Sequence, residues 1–445
     1  MVGKPNVIYL HSHDTGRWIS PYGFAVNTPN LQRLGEQGVL FRNARCAAPT
    51  CSPSRAALLT GMNPHRAGMI GLAHIGFSLS DPGRLLTHAL KAAGYTTAIA
   101  GATHVSSVHD RPKLGYDHWL NQLPGENTGE NVAAAASAFL RSPPPEPFFL
   151  DVGYFETHRH AGWFSQNASG PLGDPRFAQP MPHLPDRPAI RADSADFAES
   201  AHRLDDYHGQ VLDGLDAASL ADRSLVICTT DHGPPFPGAK CNLTDAGTGV
   251  LLLLRGPGGF SGGKIFDTMV SHLDIFPTLR DLIGLDADWL EGQSLLPLIR
   301  GEKKSVHDAL FAEVTYHAAY EPQRSVRTDR WKYIRRFDDR NSAVAPNIDD
   351  GLTKFDLFRQ AWHRRPRPKE MLFDLILDPT ESHNLAEGVA SQPILRELRQ
   401  RLDQWMHQTA DPLLNGPVPL PPGARAADPD SFNFEGDPWP PDITP

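Results

Sequence analysis

The chain has 445 residues, which is long enough for two or three domains and a sizeable core. Its 42 basic and 51 acidic residues give a formal net charge of −9 without a basic stripe, which argues against a nucleic-acid-binding protein. No apolar run approaches the ~20 residues that span a bilayer, and the four cysteines are too few for a disulfide framework. No signal-peptide pattern opens the chain. We therefore expect a soluble cytoplasmic protein that does not associate with membranes.

The first two thirds of the chain alternates short apolar runs with helical patterns. Such alternation predicts an α/β domain, here residues 1–305, with a mostly parallel central sheet flanked by helices. We predict strands at 7–10, 39–41, 96–100, 147–154, 224–230 and 250–254. We predict helices at 28–34, after residue 51, and at 85–93, 195–215 and 279–283, with a long surface loop at 165–191.

The pattern of predicted elements changes after about residue 301. Runs at 309–314, 324–327 and 331–334 predict antiparallel strands, and 393–406 predicts a closing helix, so residues 306–412 form a smaller α+β domain. The segment 413–445 is rich in proline, glycine and aspartate. It is predicted to be either extended on the surface or disordered.

A cysteine stands at the head of the most distinctive stretch, Cys51-Ser-Pro-Ser-Arg55-Ala-Ala-Leu-Leu-Thr-Gly. Pro53 and the apolar run that follows predict a helix start, so Cys51 is expected just before a helix N-terminus, where unpaired N–H groups favour negative charge. Arg55, about one turn on, can point at the same place. The thiol could be a nucleophile, a metal ligand or a buried core residue.

This stretch resembles the signature of the sulfatase family, Cys-x-Pro-x-Arg followed by Leu-Thr-Gly. The resemblance implies an alkaline-phosphatase-like fold and oxidation of Cys51 to Cα-formylglycine by a dedicated maturation enzyme. The hydrated aldehyde would then be the nucleophile that attacks a sulfate ester. The alternative is a plain buried cysteine beside a helix start.

Two adjacent pairs of metal-ligand types lie at predicted strand ends. They are His13-Asp14 and Asp231-His232, and together with modified Cys51 they predict a divalent metal site of mixed nitrogen and oxygen character. In the sulfatase family the metal is commonly calcium and the first pair is usually Asp-Asp. His13 departs from that pattern, which makes manganese or zinc credible as well. Either pair alone could instead be a solvated loop end.

Three further residues match catalytic positions of the family. His104 would take a proton from the second hydroxyl of the hydrate, His158 would protonate the leaving group, and Lys240 would stabilise negative charge on the sulfate together with the metal and Arg55. The family's Gly-Lys-x-His pattern has Ala102 in place of its lysine here. That departure puts the substrate and the activity in doubt.

Within the family the chain is most similar to the heparan N-sulfatase (sulfamidase) branch, over roughly residues 5–412. The stretch Asp231-His-Gly-Pro-Pro-Phe-Pro carries much of this likeness. It makes His74, His317 and Arg324 candidates for contact with the substrate, although structural roles stay open for each of them.

The expected reaction is therefore hydrolysis of a sulfate ester or sulfamate, with a sugar as the expected substrate. The nearest alternative is a phosphonate monoester or phosphodiester hydrolase of the same superfamily, which would use the same nucleophile. A non-catalytic anion- or sugar-binding protein is the alternative from another class, since Ala102 and His13 depart from the family pattern. The sequence is compatible with an oligomer and does not identify the substrate.

Overall fold

A computed structural model describes residues 3–121, 127–164 and 172–443, and these residues form two separate β-sheets. The strands are β1 (Asn6–Ser12), β2 (Val39–Arg45), β3 (Thr96–Gly101), β4 (His118–Trp119), β5 (Phe148–Gly153), β6 (Ser224–Thr230), β7 (Leu252–Arg255), β8 (Lys264–Ser271), β9 (Leu310–Tyr316), β10 (Tyr320–Arg327), β11 (Trp331–Arg336) and β12 (Glu370–Asp374).

The α-helices of the described residues vary from single turns to a helix of 30 residues. They are α1 (Pro29–Gln37), α2 (Cys51–Thr60), α3 (Pro64–Ala67), α4 (Leu86–Ala92), α5 (Gly129–Arg141), α6 (Pro188–Ala217), α7 (Asp245–Thr248), α8 (Ile275–Ile283), α9 (Leu296–Ile299), α10 (Leu352–Arg359) and α11 (Gln392–Gln408). Within the described ranges, none of these helices is both long and apolar enough to cross a membrane.

The larger sheet has eight strands in the order β4-β3-β5-β1-β6-β7-β2-β8. Every neighbouring pair is parallel except the two that involve β7, which runs antiparallel to both β6 and β2. The prediction of a mostly parallel sheet flanked by helices is confirmed. Strand β8 was not predicted, because its first half is exposed and carries no apolar run.

Both faces of this sheet are buried, as a parallel sheet between helical layers requires. Along β1, Val7 and Tyr9 pack into one apolar cluster, whereas Ile8 and Leu10 pack into the cluster on the opposite face. This alternation explains why the central strands read as continuous apolar runs. It also fixes their register, since a shift by one residue would exchange the two faces.

The long helix α6 begins earlier than the sequence indicated. It starts at Pro188, whereas the prediction placed 165–191 in a loop and the helix start at 195. The start was missed because the buried face of this part of the helix carries the acidic residues Asp193 and Asp196. Asp193 accepts a hydrogen bond from Arg159, and Asp196 accepts hydrogen bonds from the backbone N–H groups of Leu172 and Gly173. Residues 165–171 of the predicted loop lie outside the described residues.

The smaller sheet is antiparallel throughout, in the order β12-β11-β10-β9, which confirms the predicted C-terminal architecture. Helix α11 covers it with an apolar stripe that includes Leu398 and Leu402. The ring of Trp405 stacks on Phe311 of β9 with a centroid distance of 5.1 Å. The domain boundary at 305/306 stays a prediction.

The described part of the C-terminal tail lies against the folded chain. Its one regular element within the described residues is a short 3-10 helix at Pro412–Asn415. Phe432 and Ile443 are buried in an apolar cluster with Phe358, and Trp439 packs beside them. Of the two predicted states, extended on the surface or disordered, the structure shows the first.

A buried ion pair connects the smaller sheet to the residues that follow α11. Arg324 of β10 is completely buried and donates two hydrogen bonds to Asp411, Nε to Oδ2 at 2.5 Å and Nη2 to Oδ1 at 3.0 Å. A further bond runs from Arg324 Nη1 to the carbonyl of Val314. Because a buried charge needs its partner, this pair matters for stability.

Replacing Asp411 by asparagine is expected to lower the free energy of unfolding at pH 7 by about 3 kcal/mol, because Arg324 would lose its closest carboxylate. Burial alone would raise the pKa of Asp411, but the hydrogen bonds and charge of Arg324 outweigh it and hold the pKa below its usual value. A depressed carboxyl pKa contributes stability above the unfolded pKa, and this contribution is lost as the pH falls through the folded pKa.

The difference between the unaltered protein and D411N should therefore shrink below about pH 4. Urea denaturation over a pH series measures it, with the exposed Glu387→Gln as the control. A difference that stays constant as the pH falls would show that the ion pair does not carry the effect.

Candidate active site

The predicted site residues meet at one edge of the larger sheet. His13 and Asp14 follow β1, His104 follows β3, His158 follows β5, and Asp231 and His232 follow β6. Since these four strands are parallel, their carboxyl ends share an edge, which is where open α/β sheets bind ligands. Helix α2 begins at the same edge.

Cys51 is the first residue of α2 rather than the residue before it, which corrects the predicted position by one residue. Thr50 is the N-terminal cap in extended conformation, and its carbonyl accepts the N–H of Ser54 at 3.0 Å. Pro53 costs no hydrogen bond there, because first-turn N–H groups have no helical partner. The helix ends at Gly61, whose φ of 66° is in the left-handed region.

The Cys51 thiol lies against a cluster of metal-ligand side chains. Ligand atoms of His13, Asp14, Cys51 and Asp231 all lie within 4.8 Å of one another, and all four residues are buried. Neither ring nitrogen of His13 has a hydrogen-bond partner among the described residues. His13 Nδ1 lies 3.3 Å from Asp231 Oδ2. Two ring nitrogens without a hydrogen bond on a buried side chain are costly, so this cluster fits a divalent cation.

His232 is oriented to join this cluster. Its Nδ1 donates to the carbonyl of Gly233 at 2.8 Å, which leaves the lone pair on Nε2. That Nε2 lies 3.3 Å from Asp14 Oδ1, 3.4 Å from Cys51 Sγ and 3.7 Å from Asp231 Oδ2. Burial opposes the charge on Asp231, but His232 and Arg55 outweigh it and lower its pKa, so Asp231 is ionised.

Arg55 lies behind this cluster and is not part of the cavity wall. Its expected help in stabilising negative charge on the sulfate stays a prediction. Its Nη2 donates to Asp231 Oδ2 at 3.0 Å and to the carbonyl of Ser12, and its Nη1 donates to His11 Nδ1 at 2.6 Å. His11 in turn bonds Asp151 through Nε2 at 2.8 Å. Arg55 therefore orients Asp231, and a buried chain of side chains holds Arg55.

A cavity of about 270 Å³ opens above Cys51. The cavity brings together catalytic, substrate-binding and metal-site candidates from both sheets of the protein. Its lining residues are Cys51, Leu72, His74, His104, His158, Arg159, Ala161, Gly162, Lys240, His317, Ala318, Pro346, Ile348, Asp349, Asp350, Asn433, Phe434 and Glu435.

Lys240 is a buried cation held between two carboxylates. Its Nζ lies 2.9 Å from Asp14 Oδ2 and 2.9 Å from Asp349 Oδ2. Burial opposes its charge, but Asp14 and Asp349 outweigh burial and raise its pKa well above the usual value. Sequence reasoning missed Asp349, because Asp349-Asp350-Gly351 reads as an ordinary turn and no local signal places it beside Lys240.

His158 and His104 have different neighbours in the cavity: His158 lies beside Lys240, and His104 lies near Cys51 and His13. His158 Nδ1 donates to the carbonyl of Arg159 at 2.5 Å, so its Nε2 faces Lys240 Nζ at 3.5 Å. His104 has a ring nitrogen within 4.8 Å of both Cys51 Sγ and a nitrogen of His13. Burial, then the neighbouring His74, lower the pKa of His104 well below its usual value, so the ring is neutral.

Of the three substrate-binding candidates, two line the cavity. His74 contacts His104 through a ring nitrogen pair at 3.0 Å, and the backbone N–H of the preceding Ala73 is held by Ser52 of α2. His317 also lines the cavity, at the turn between β9 and β10. Arg324 does not: it is completely buried in the ion pair with Asp411, so the expectation that it contacts substrate is wrong.

Comparisons with protein families match two regions of the chain. A family model described as "Sulfatase" matches residues 5–285, and one described as "N-sulphoglucosamine sulphohydrolase, C-terminal" matches residues 240–345. The human protein named N-sulphoglucosamine sulphohydrolase is 30% identical over 467 aligned residues, which cover 93% of this chain and 92% of that protein.

Solved structures with the same fold include a protein in complex with its substrate D-glucosamine-2-N,6-O-disulfate. It is 17% identical, with a TM-score of 0.73 and coverage of 93% of this chain and 99% of that chain. The phosphonate monoester hydrolase of Agrobacterium radiobacter is 20% identical, with a TM-score of 0.71 and coverage of 94% and 100%. At such identities the likeness shows the fold.

Proposed function

This chain belongs to the sulfatase family of sulfuric ester hydrolases, and from that premise we propose that it removes one sulfate group from a small sulfated sugar with a formylglycine nucleophile at position 51. One observation carries the proposal. The Cys51 side chain lies where a cavity meets a buried cluster of metal-ligand side chains, and Lys240 and four histidines line that cavity.

The chemistry of position 51 supports conversion of the thiol. Burial raises the pKa of Cys51 well above its usual value. Lys240 opposes this shift, and the nearby carboxylates Asp14 and Asp231 add to it. A neutral thiol is a weak nucleophile. A hydrated aldehyde instead supplies one hydroxyl that attacks sulfur and a second whose proton loss expels sulfate and restores the aldehyde.

The surrounding residues then divide the proton transfers. His104, which has a ring nitrogen within 4.8 Å of Cys51 Sγ, accepts the proton of the second hydroxyl. His158, whose Nε2 faces Lys240 and the cavity, donates a proton to the leaving oxygen or nitrogen. Lys240 lies beside both His158 and Asp14 and offsets the charge that develops on the sulfate oxygens.

The proposed cofactor is one divalent metal held by His13, Asp14, Asp231 and His232. When bound, the metal acidifies the attacking hydroxyl and draws charge from the sulfate. Calcium is the usual ion of the family and prefers all-oxygen ligands, whereas this site offers two imidazoles and two carboxylates. We therefore propose manganese or zinc ahead of calcium, and a maturation enzyme as the partner that converts Cys51.

The substrate class rests on the relatives. The human relative is named for N-sulphoglucosamine, and the solved structure above holds glucosamine-2-N,6-O-disulfate. The cavity of about 270 Å³ is at the small end of ligand pockets, which are commonly ~300–1,000 Å³. A single sulfated sugar unit fits this size better than an internal stretch of a polymer.

A panel of sulfated compounds tests the proposal. Converted protein is assayed against glucosamine N-sulfate, glucosamine 6-sulfate and an aryl sulfate, with a phenyl phosphonate monoester as the competing chemistry. We expect hydrolysis of a sulfated sugar with release of inorganic sulfate. Preference for the phosphonate would favour the alternative hydrolase, and binding without turnover of any compound would favour the non-catalytic alternative.

A further inference from the structure

The C-terminal tail crosses three of the segments that carry cavity side chains. The Arg425 N–H donates to the carbonyl of Ile75, next to His74, at 2.8 Å. The Ala427 N–H donates to Ala318, next to His317, at 2.8 Å. We name residues 425–435 the C-terminal strap.

The strap is anchored in the fold at its far end. Phe432 is buried, and its carbonyl accepts a hydrogen bond from Lys354 Nζ at 3.0 Å. The same ammonium lies 4.2 Å from the centroid of the Phe432 ring. Asn433 Nδ2 donates to Asp350 Oδ2 at 3.2 Å, beside Asp349. These contacts hold the next residues of the strap in one place.

The residues held in this way form part of the cavity wall. Phe434 is half-buried and Glu435 is exposed, and both line the cavity above Cys51. Asp349 pairs with Lys240, and Asp350 pairs with Lys354 at 2.7 Å. In contrast, the Glu435 carboxylate has no ion-pair partner within the described ranges.

We propose that the strap is the specificity element of the cavity, with Phe434 and Glu435 in contact with the sugar part of the substrate. This inference rests on the proposed function. An aromatic ring covers the apolar C–H face of a sugar, and a free carboxylate accepts hydrogen bonds from hydroxyl or ammonium groups. The same carboxylate repels a second anionic group, so the strap selects a sugar unit that carries a single sulfate.

Point variants test this better than truncation, because a chain that ends before Phe432 loses buried apolar contacts. The variants are Glu435→Lys and Phe434→Ala, with Glu387→Lys, exposed and outside the cavity, as the matched control. The probes are glucosamine N-sulfate and glucosamine 2-N,6-O-disulfate. Affinity is measured by calorimetry on the Cys51→Ala background, and KM and kcat are measured on converted protein.

Glu435→Lys is expected to shift the affinity ratio toward the disulfate by about tenfold or more. Phe434→Ala should raise KM for both compounds, and the control should change neither. Unchanged ratios in E435K, in a preparation whose unaltered form hydrolyses a sulfate, would overturn the inference and leave the proposed function standing. Absence of hydrolysis in the unaltered, converted protein would instead defeat the proposed function.

Discussion

Cys51→Ser is expected to lose at least about a thousandfold in steady-state kcat while it still binds substrate. A serine at the start of α2 has one hydroxyl, so attack on sulfur leaves a sulfated serine with no second hydroxyl to expel the sulfate. The variant should therefore release at most about one equivalent of leaving group per protein and retain the sulfate on residue 51. Quenched-flow assays and peptide mass spectrometry measure both quantities.

Two further variants make this result specific. Cys51→Ala removes the nucleophile and should show neither turnover nor a covalent sulfate. Cys228→Ala changes another buried cysteine, in the core on the far side of β6 from α2, and should keep turnover within a few-fold. Normal steady-state turnover by C51S would contradict a mechanism that depends on two hydroxyls at position 51.

His13→Ala is expected to lower metal occupancy and kcat/KM together, by at least about a hundredfold in activity at limiting metal. The His13 ring nitrogens make no hydrogen bond among the described residues, and Nδ1 lies 3.3 Å from Asp231 Oδ2, so ligation is the role that its position supports. Excess manganese or zinc should restore part of the activity. Elemental analysis of the purified protein and activity titrations with manganese, zinc and calcium are the measurements.

The ligand type itself can be tested at the same position. His13→Asp replaces an imidazole by a carboxylate and should shift the preference of the site toward calcium. His109→Ala, an exposed histidine outside the cavity, is the control. Metal content and activity that do not change in H13A would show that His13 is not a ligand.

The fold and most of the candidate site could be predicted from the sequence, because the residues concerned lie next to recognisable strand or helix patterns. Cys51 and the strand-end pairs at 13–14 and 231–232 could be recognised because each lies within a few residues of a strong strand or helix pattern. Parallel strands bring their carboxyl ends to one edge, so predicting the strands also predicted that these pairs would meet.

Other contacts depend on residues far apart in the chain and left no local signal. Asp349 pairs with Lys240, which is more than a hundred positions away, and the strap residue Phe434 reaches the cavity from the last part of the chain. Arg55 was expected to help stabilise charge on the sulfate, and Arg324 was a candidate for substrate contact through the likeness to the sulfamidase branch. In the structure Asp231 pairs with Arg55, and Asp411 pairs with Arg324. A charged residue in a motif indicates a buried anion partner as readily as a substrate.

The prediction of two helices from the sequence failed for a related reason. The start of α6 was hidden because Asp193 and Asp196 point inward to satisfy buried donors, so its first two turns do not show an apolar stripe. Helix α5 was not predicted either, because its buried face is made largely of small residues such as Ala133 and Ala136. Patterns of hydrophobicity cannot show an element whose inner face is polar or small.

The most direct test of the account is peptide mass spectrometry across Cys51, on protein produced together with a formylglycine-generating enzyme. We predict a peptide lighter than the cysteine form by the difference between a CH2–SH group and an aldehyde, with sulfatase activity that rises in proportion to the converted fraction. A peptide that keeps its cysteine, in a host that converts a control sulfatase, together with full sulfatase activity, would contradict the claim that position 51 acts as formylglycine.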